Sequence, residues 1–157
     1  MNVTIEITNA CDPHWIPELD ICERWIYAAL DLIGADKAYS VSLRFVDEIE
    51  SKSLNKKYRA KSNATNVLSF PANFPATISK QFAAEPLGDV VICPAILERE
   101  AAEQGKTLEA HNAHLLIHGV LHLLGYDHDS EANAETMEQR EINILENLGF
   151  PNPYLIG

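Results

Sequence analysis

The sequence predicts an α+β fold: a single domain over residues 1–157, with a sheet of about four strands packed with about five helices. Three observations carry this. Two stretches alternate apolar and polar residues with a period of two, as half-buried strands do. Two short runs rich in Val, Ile, Leu or Phe lie beside turn residues. The longer segments open or close on Pro and Gly in the order that helices favour.

In order, Val3, Ile5 and Ile7 alternate with Asn2, Thr4 and Glu6, so residues 2–8 read as a strand. Pro17 is placed to open a helix that Gly34 ends. Residues 40–46 alternate again and give a second strand, followed by a short charged helix over 47–58. Val67-Leu68-Ser69-Phe70, stopped by Pro71, is a third strand, and 87–92 is the fourth. Asp89, after Gly88 at that strand's start, reads as a turn residue. The polar stretch 71–86 between them is a long hairpin loop or flap. Pro94 starts a helix that Gly105 ends. Residues 107–124 are apolar on several faces and predict a central, buried helix. A last amphipathic helix covers 131–148, closed by Gly149 and Pro151.

Composition narrows the function classes. Hydrophobic residues make up 46% of the chain. No run approaches the roughly 18 apolar residues of a membrane span. The segment from Met1 to Ile7 has no basic region leading into an apolar stretch, so it does not read as a signal peptide. Cys11, Cys22 and Cys93 are odd in number and form no CxxC, which fits reduced thiols and a cytoplasmic location. The net charge of −11 opposes nucleic acid overall. The distribution is uneven, however. Lys52, Lys56, Lys57, Arg59 and Lys61 cluster together, while Glu131, Glu135, Glu138, Glu141 and Glu146 crowd the C-terminal part. The ordinary reading of the basic strip is a solvated helix face. The functional one is a hold on a few phosphates.

The chemistry lies in His118-Gly119-Val120-Leu121-His122-Leu123-Leu124-Gly125-Tyr126-Asp127-His128. On a helix, a step of four residues turns through about 400° and rises about 6 Å, so His118 and His122 project from one face. Gly125 can end the helix in a left-handed conformation and swing His128 round to the same point. Three imidazoles leave one position of a tetrahedral ion open, as catalytic zinc sites do. His114 falls on the same face and reads as an outer or packing residue; His14 reads as surface. Asp127 and Asp129 flank His128 and either orient an imidazole or serve the turn.

The offsets are those of the zinc-peptidase signature His-Glu-x-x-His-x-x-Gly-x-x-His. The general-base glutamate of that signature is here Gly119. The cage is kept and the peptidase base is dropped, which points to different chemistry.

Together with Leu54-Asn55-Lys56-Lys57-Tyr58-Arg59, Thr65-Asn66-Val67-Leu68-Ser69-Phe70-Pro71 and Leu87-Gly88-Asp89-Val90-Val91-Ile92, the histidine motif resembles the YbeY family of bacterial rRNA-maturation endoribonucleases over most of the chain. The resemblance implies a single YbeY-like domain, with one Zn2+ per chain held by His118, His122 and His128 on and after the central helix. It implies that Arg59 is the functionally important arginine near the metal. It implies a single-strand-specific, metal-dependent endoribonuclease acting in 16S rRNA 3′-end maturation and ribosome quality control. The expected partners are single-stranded RNA, especially precursor 16S rRNA, and the ribosome or its small subunit, with neither membrane nor DNA among them. The rival readings are a zinc metallopeptidase-like hydrolase and a non-catalytic ribosome-assembly factor.

Overall fold

Alternation in the first two strands sorts the sheet into two unlike faces. The computed structural model describes residues 3–11, 14–35, 37–79 and 81–155. In β1 (Val3–Asn9) and β2 (Tyr39–Phe45), the residues Val3, Ile5, Ile7, Val41, Leu43 and Phe45 turn to the main core. β3 (Val67–Pro71) and β4 (Glu85–Ile92) complete a four-stranded sheet in the order β1-β2-β4-β3. β1, β2 and β4 run parallel, and β3 is antiparallel to β4. The fold is α+β, as the sequence predicts.

The helices are α1 (Leu19–Leu32), α2 (Glu48–Arg59), α3 (Ala76–Ser79), α4 (Pro94–Gln104), α5 (Leu108–Leu123) and α6 (Glu131–Asn147). Five match the sequence expectation, and α3 adds a single turn inside the β3–β4 hairpin. α5 lies at the centre: it packs on β3 and β4 and is flanked by α1, α4 and α6. Leu116, Ile117, Val120 and Leu121 of α5 are fully buried. This explains an apolar surface that does not favour one side. A smaller cluster, Val46, Leu68 and Val91, sits apart from this core and is closed by Leu54 of α2 and by Phe70.

Three local expectations are corrected. Pro17 does not open α1: Glu18 is the N-cap and its carbonyl accepts the Cys22 N–H, so the helix starts at Leu19 and Pro17 stays in the extended approach. β3 ends at Pro71, but one residue later than expected, since Pro71 itself is in the strand opposite Gly88. β3 is an edge strand, where a missing N–H interrupts no ladder. Asp89 is not in a turn: β4 begins at Glu85, and Asp89 pairs with Ser42 on one side and Phe70 on the other. The register shifts between Ser40 and Val41, whose partners are Pro86 and Gly88, so Leu87 is the extra residue of a bulge just before the Gly-Asp pair. Asn2, expected to begin the first strand, lies outside the described residues, as does Met1.

Candidate metal centre

Thr107 caps α5, its hydroxyl accepting the Ala110 N–H, and the helix then runs to Leu123. His118 and His122, one turn apart, bring their Nε2 atoms to 3.1 Å. Gly125 takes φ +100°, and the N–H of Tyr126 reaches back to the Leu121 carbonyl at 3.0 Å. That closure reverses the chain and brings the His128 ring centroid within 5.0 Å of His122 and 5.8 Å of His118. One nitrogen from each of the three histidines lies within 4.8 Å of the others, so the group could hold a metal ion.

The donor set fits such an ion. Two imidazole nitrogens on a tetrahedral zinc, each about 2.05 Å from it, sit about 3.3 Å apart. Two facing Nε2 atoms at 3.1 Å have lone pairs aimed at a common point if their protons lie on Nδ1. The surroundings put them there. His118 Nδ1 donates to Glu141 Oε2 at 2.8 Å, and His122 Nδ1 donates to the Tyr126 carbonyl at 3.0 Å. Burial first, then the neighbouring His118 and His128, push His122 below the ordinary imidazole value, which favours the neutral ring a ligand needs.

Glu141 is the residue that sequence reasoning missed. It lies on α6, fully buried, with Met137, Ile144 and Leu145 on the same stripe. Burial by itself would raise its carboxyl. Hydrogen bonds from His114 and His118, and then from Tyr154, prevail and hold it at about 2. His114 Nε2 donates to Glu141 Oε1 at 2.6 Å, and the Tyr154 hydroxyl donates to the same oxygen. An ionised carboxylate only accepts, so it fixes both imidazole tautomers. The signal was present: Met137, Glu141, Ile144 and Leu145 recur at helical spacing, which puts a carboxylate on the apolar stripe. Asp127 and Asp129 have the other role. Asp127 accepts the backbone N–H of His128, and Asp129 accepts the Asn133 amide as α6 begins. Both are turn residues. His14 meets Glu98 at 3.0 Å, well away in sequence from the cluster.

The histidines line one wall of a cleft of about 680 Å³. Arg59, Lys61, Asn55, Asn66 and the edge strand β3 line the other parts. Arg59 is the last residue of α2, and Ala60 ends that helix in the left-handed region. The Arg59 guanidinium crosses to β3, donates to the Ser69 carbonyl at 2.9 Å and stands 5.9 Å from the Phe70 ring centroid. The basic strip divides: Arg59 and Lys61 face the cleft, whereas Lys52 borders a separate depression with Ile49 and Arg99. Lys57 lies 5.2 Å from the Tyr58 ring. α2 carries Glu48 and Glu50 in its first turn and Lys56, Lys57 and Arg59 in its last, so its charges match the helix dipole.

Gly119 is where α5 meets the sheet. A Cβ there would come within 2.6 Å of Val90 Cγ1 and 3.2 Å of Ser69 Oγ. Ser69 Oγ also donates to the Gly119 carbonyl at 3.0 Å. A glutamate at this position would be driven into β3 and β4. The peptidase base is therefore excluded by packing as well as by composition. Asp127 is the one carboxylate residue lining the cleft among the described residues.

Residues 12–149 match the family model described as Endoribonuclease YbeY. The chain belongs to the YbeY family. Proteins named Endoribonuclease YbeY resemble it along nearly its whole length. That of Pseudomonas putida is 53% identical, over 96% of this chain and 92% of its own. That of Xanthomonas oryzae is 46% identical, over 98% and 94%. That of Nitrosococcus oceani is 45% identical, over 98% of both chains. The solution structure of TM1509 from Thermotoga maritima aligns with a TM-score of 0.56 at 25% identity, covering 93% of this chain and 92% of that one.

The stretches that carried the YbeY resemblance converge in space. The histidine motif, the end of α2 and strand β3 line one cleft. β4 stands behind them, where Val90 meets Gly119. Cys22 and Cys93 are buried free thiols, Cys11 is buried, and no described helix is long and apolar enough to cross a membrane.

Proposed function

We propose that this protein is a single-strand-specific, metal-dependent endoribonuclease, one domain over residues 1–157, with one Zn2+ held by His118, His122 and His128. The observation that carries the reading is the shared cleft: three imidazoles converge opposite Arg59 and Lys61, with a glycine where a peptidase needs its base. Names of the relatives support RNA as the substrate. The resemblance supports precursor 16S rRNA and its 3′-end maturation, action with the ribosome or its small subunit, and a part in ribosome quality control. The free buried thiols of Cys22 and Cys93 support a cytoplasmic location. DNA and membranes are not among the proposed partners.

When bound, the ion supplies Lewis-acid polarisation of a phosphoryl oxygen and acidifies water. The remaining work belongs to the chain. Glu141 and the Tyr126 carbonyl hold two imidazoles in the tautomer that frees Nε2. Arg59, tied to β3 through one nitrogen, keeps other N–H donors for a phosphate beside the cage. Lys61 adds positive charge along the same wall.

One experiment separates the rival classes. Purified protein is incubated with a single-stranded RNA and with an unfolded polypeptide, each with and without chelator. Chelator-sensitive cleavage of RNA alone is expected. Cleavage of polypeptide alone would favour the peptidase, and RNA binding without turnover an assembly factor.

The exposed lysines of α2 give a milder expectation. Lys56→Ala and Lys57→Ala each weaken RNA binding slightly. Each lowers the slope of log K against log salt by about 0.7, the value for one phosphate contact on a single strand. Titrations at several salt concentrations check this; an unchanged slope would leave both lysines as solvated surface.

A further inference from the structure

A second chain of polar groups, buried at His111 and half-buried at Glu100 and Asn66, reaches the cleft from another direction. His111, on α5 one turn before His114, is buried, and its Nε2 lies 2.9 Å from Glu100 Oε1 on α4. Burial, outweighing the Glu100 carboxylate, lowers the His111 pKa, which favours the neutral ring. Facing a carboxylate, its proton sits on Nε2, which leaves the unpartnered Nδ1 as a bare lone pair rather than a stranded N–H. Glu100 in turn receives Asn66 Nδ2 at 3.1 Å and 3.2 Å on its two oxygens. Asn66 sits just before β3 and lines the cleft, its backbone carbonyl fixed by the Cys93 N–H at 3.0 Å.

An asparagine is ordinarily free to present either end of its amide. Here it is not. The flipped amide would set Oδ1 against two carboxylate oxygens, and no proton would lie between them. The pairing holds the NH2 end against Glu100, so the end of the amide left without a partner among the described residues is Oδ1, an acceptor. Arg59 and Lys61 in the same cleft are pure donors and suit phosphate oxygens, which carry no hydrogen. An acceptor has no use for a phosphate oxygen.

We propose that Asn66, locked by Glu100 and His111, is a specificity residue whose Oδ1 accepts a hydrogen bond from a donor of the bound strand, either a ribose 2′-hydroxyl or an exocyclic base amine. The inference rests on the RNA reading of the cleft. It assigns Glu100 and His111 as positioning residues.

Three strands of one sequence test it: RNA, the all-2′-deoxy strand, and RNA with every adenosine replaced by purine riboside, which lacks the amine. Binding is followed by stopped-flow anisotropy, ahead of any turnover, with metal content and melting temperature as controls. Asn66→Ala is expected to lose roughly three- to tenfold in RNA affinity, the size of one neutral hydrogen bond. A loss that vanishes on the deoxy strand identifies the 2′-hydroxyl as donor. One that vanishes on the purine-riboside strand identifies the amine. Glu100→Gln, which lets the amide turn over, shifts the same probe in the same direction by less. Wild-type binding of all three strands by Asn66→Ala, or an equal loss on all three, overturns the proposal. Failure of the wild-type protein to cleave RNA would count against the activity, not against this discrimination.

Discussion

Replacing His122 by Ala is expected to remove metal and activity together. His122 supplies one of the two Nε2 atoms at 3.1 Å, and no other described side chain within the cage can take its place. Two imidazoles remain, one of them on the exposed His128. Metal analysis should fall from about one zinc per chain to well below it, with cleavage falling in parallel. Some stability goes with the metal, because binding to the native cage stabilises it. Undiminished stoichiometric zinc in His122→Ala would rule the assignment out. Glu141→Gln probes the same cage from behind. Gln has one oxygen and one NH2 group where Glu141 presents two acceptors, so it cannot serve both His118 Nδ1 and the pair formed by His114 and Tyr154. Changes of this kind typically cost about 10- to 100-fold in metal affinity. Competition with a chelator of known affinity measures it.

Glu141 also marks the boundary of what the sequence could disclose. Local periodicity was enough for β1, β2 and α6, because each buries one repeating set of side chains; Pro94 and Gly105 were enough for α4, and sheer apolar content for α5. The glycine at 125 and the spacing of three histidines were enough for the cage, because helix geometry and one turn determine it. The strand order β1-β2-β4-β3 was not legible, since β4 inserts between β2 and β3 by long-range pairing. The partner of His118 lies 23 residues away on another helix, and α5 must pack against α6 before the two meet. Asp127 and Asp129, flanking His128 in sequence, could be read as orienting acids or as turn residues, and the structure shows them in the turn. Proximity along the chain was a poor guide to second partners, and a charge on an apolar stripe was the better one. The Gly119 argument gained most from the structure. The sequence showed only that a base was missing, whereas the 2.6 Å approach to Val90 shows that a side chain there would have to displace β4 packing.

Arg59→Ala should keep its metal content and its fold while losing most of its turnover. The side chain is exposed at the end of α2, so its removal opens no cavity in the core. What is lost is orientation. The guanidinium is fastened to the Ser69 carbonyl and lies near Phe70, so its remaining donors are held toward the cleft before any substrate arrives. A preorganised charged contact of this type commonly contributes on the order of 3–4 kcal/mol to transition-state stabilisation. At saturating RNA, kcat should therefore fall by a few hundredfold, with metal content unchanged. Arg59→Lys should recover only part of it. An ammonium keeps the charge, but it cannot hold Ser69 and grip a phosphate at two points simultaneously. The contrast with Lys56 and Lys57 is the sharper check: those variants alter salt dependence and binding, whereas Arg59 alters the rate of the bound complex. Wild-type kcat in Arg59→Ala would reduce this arginine to a surface residue that closes a helix.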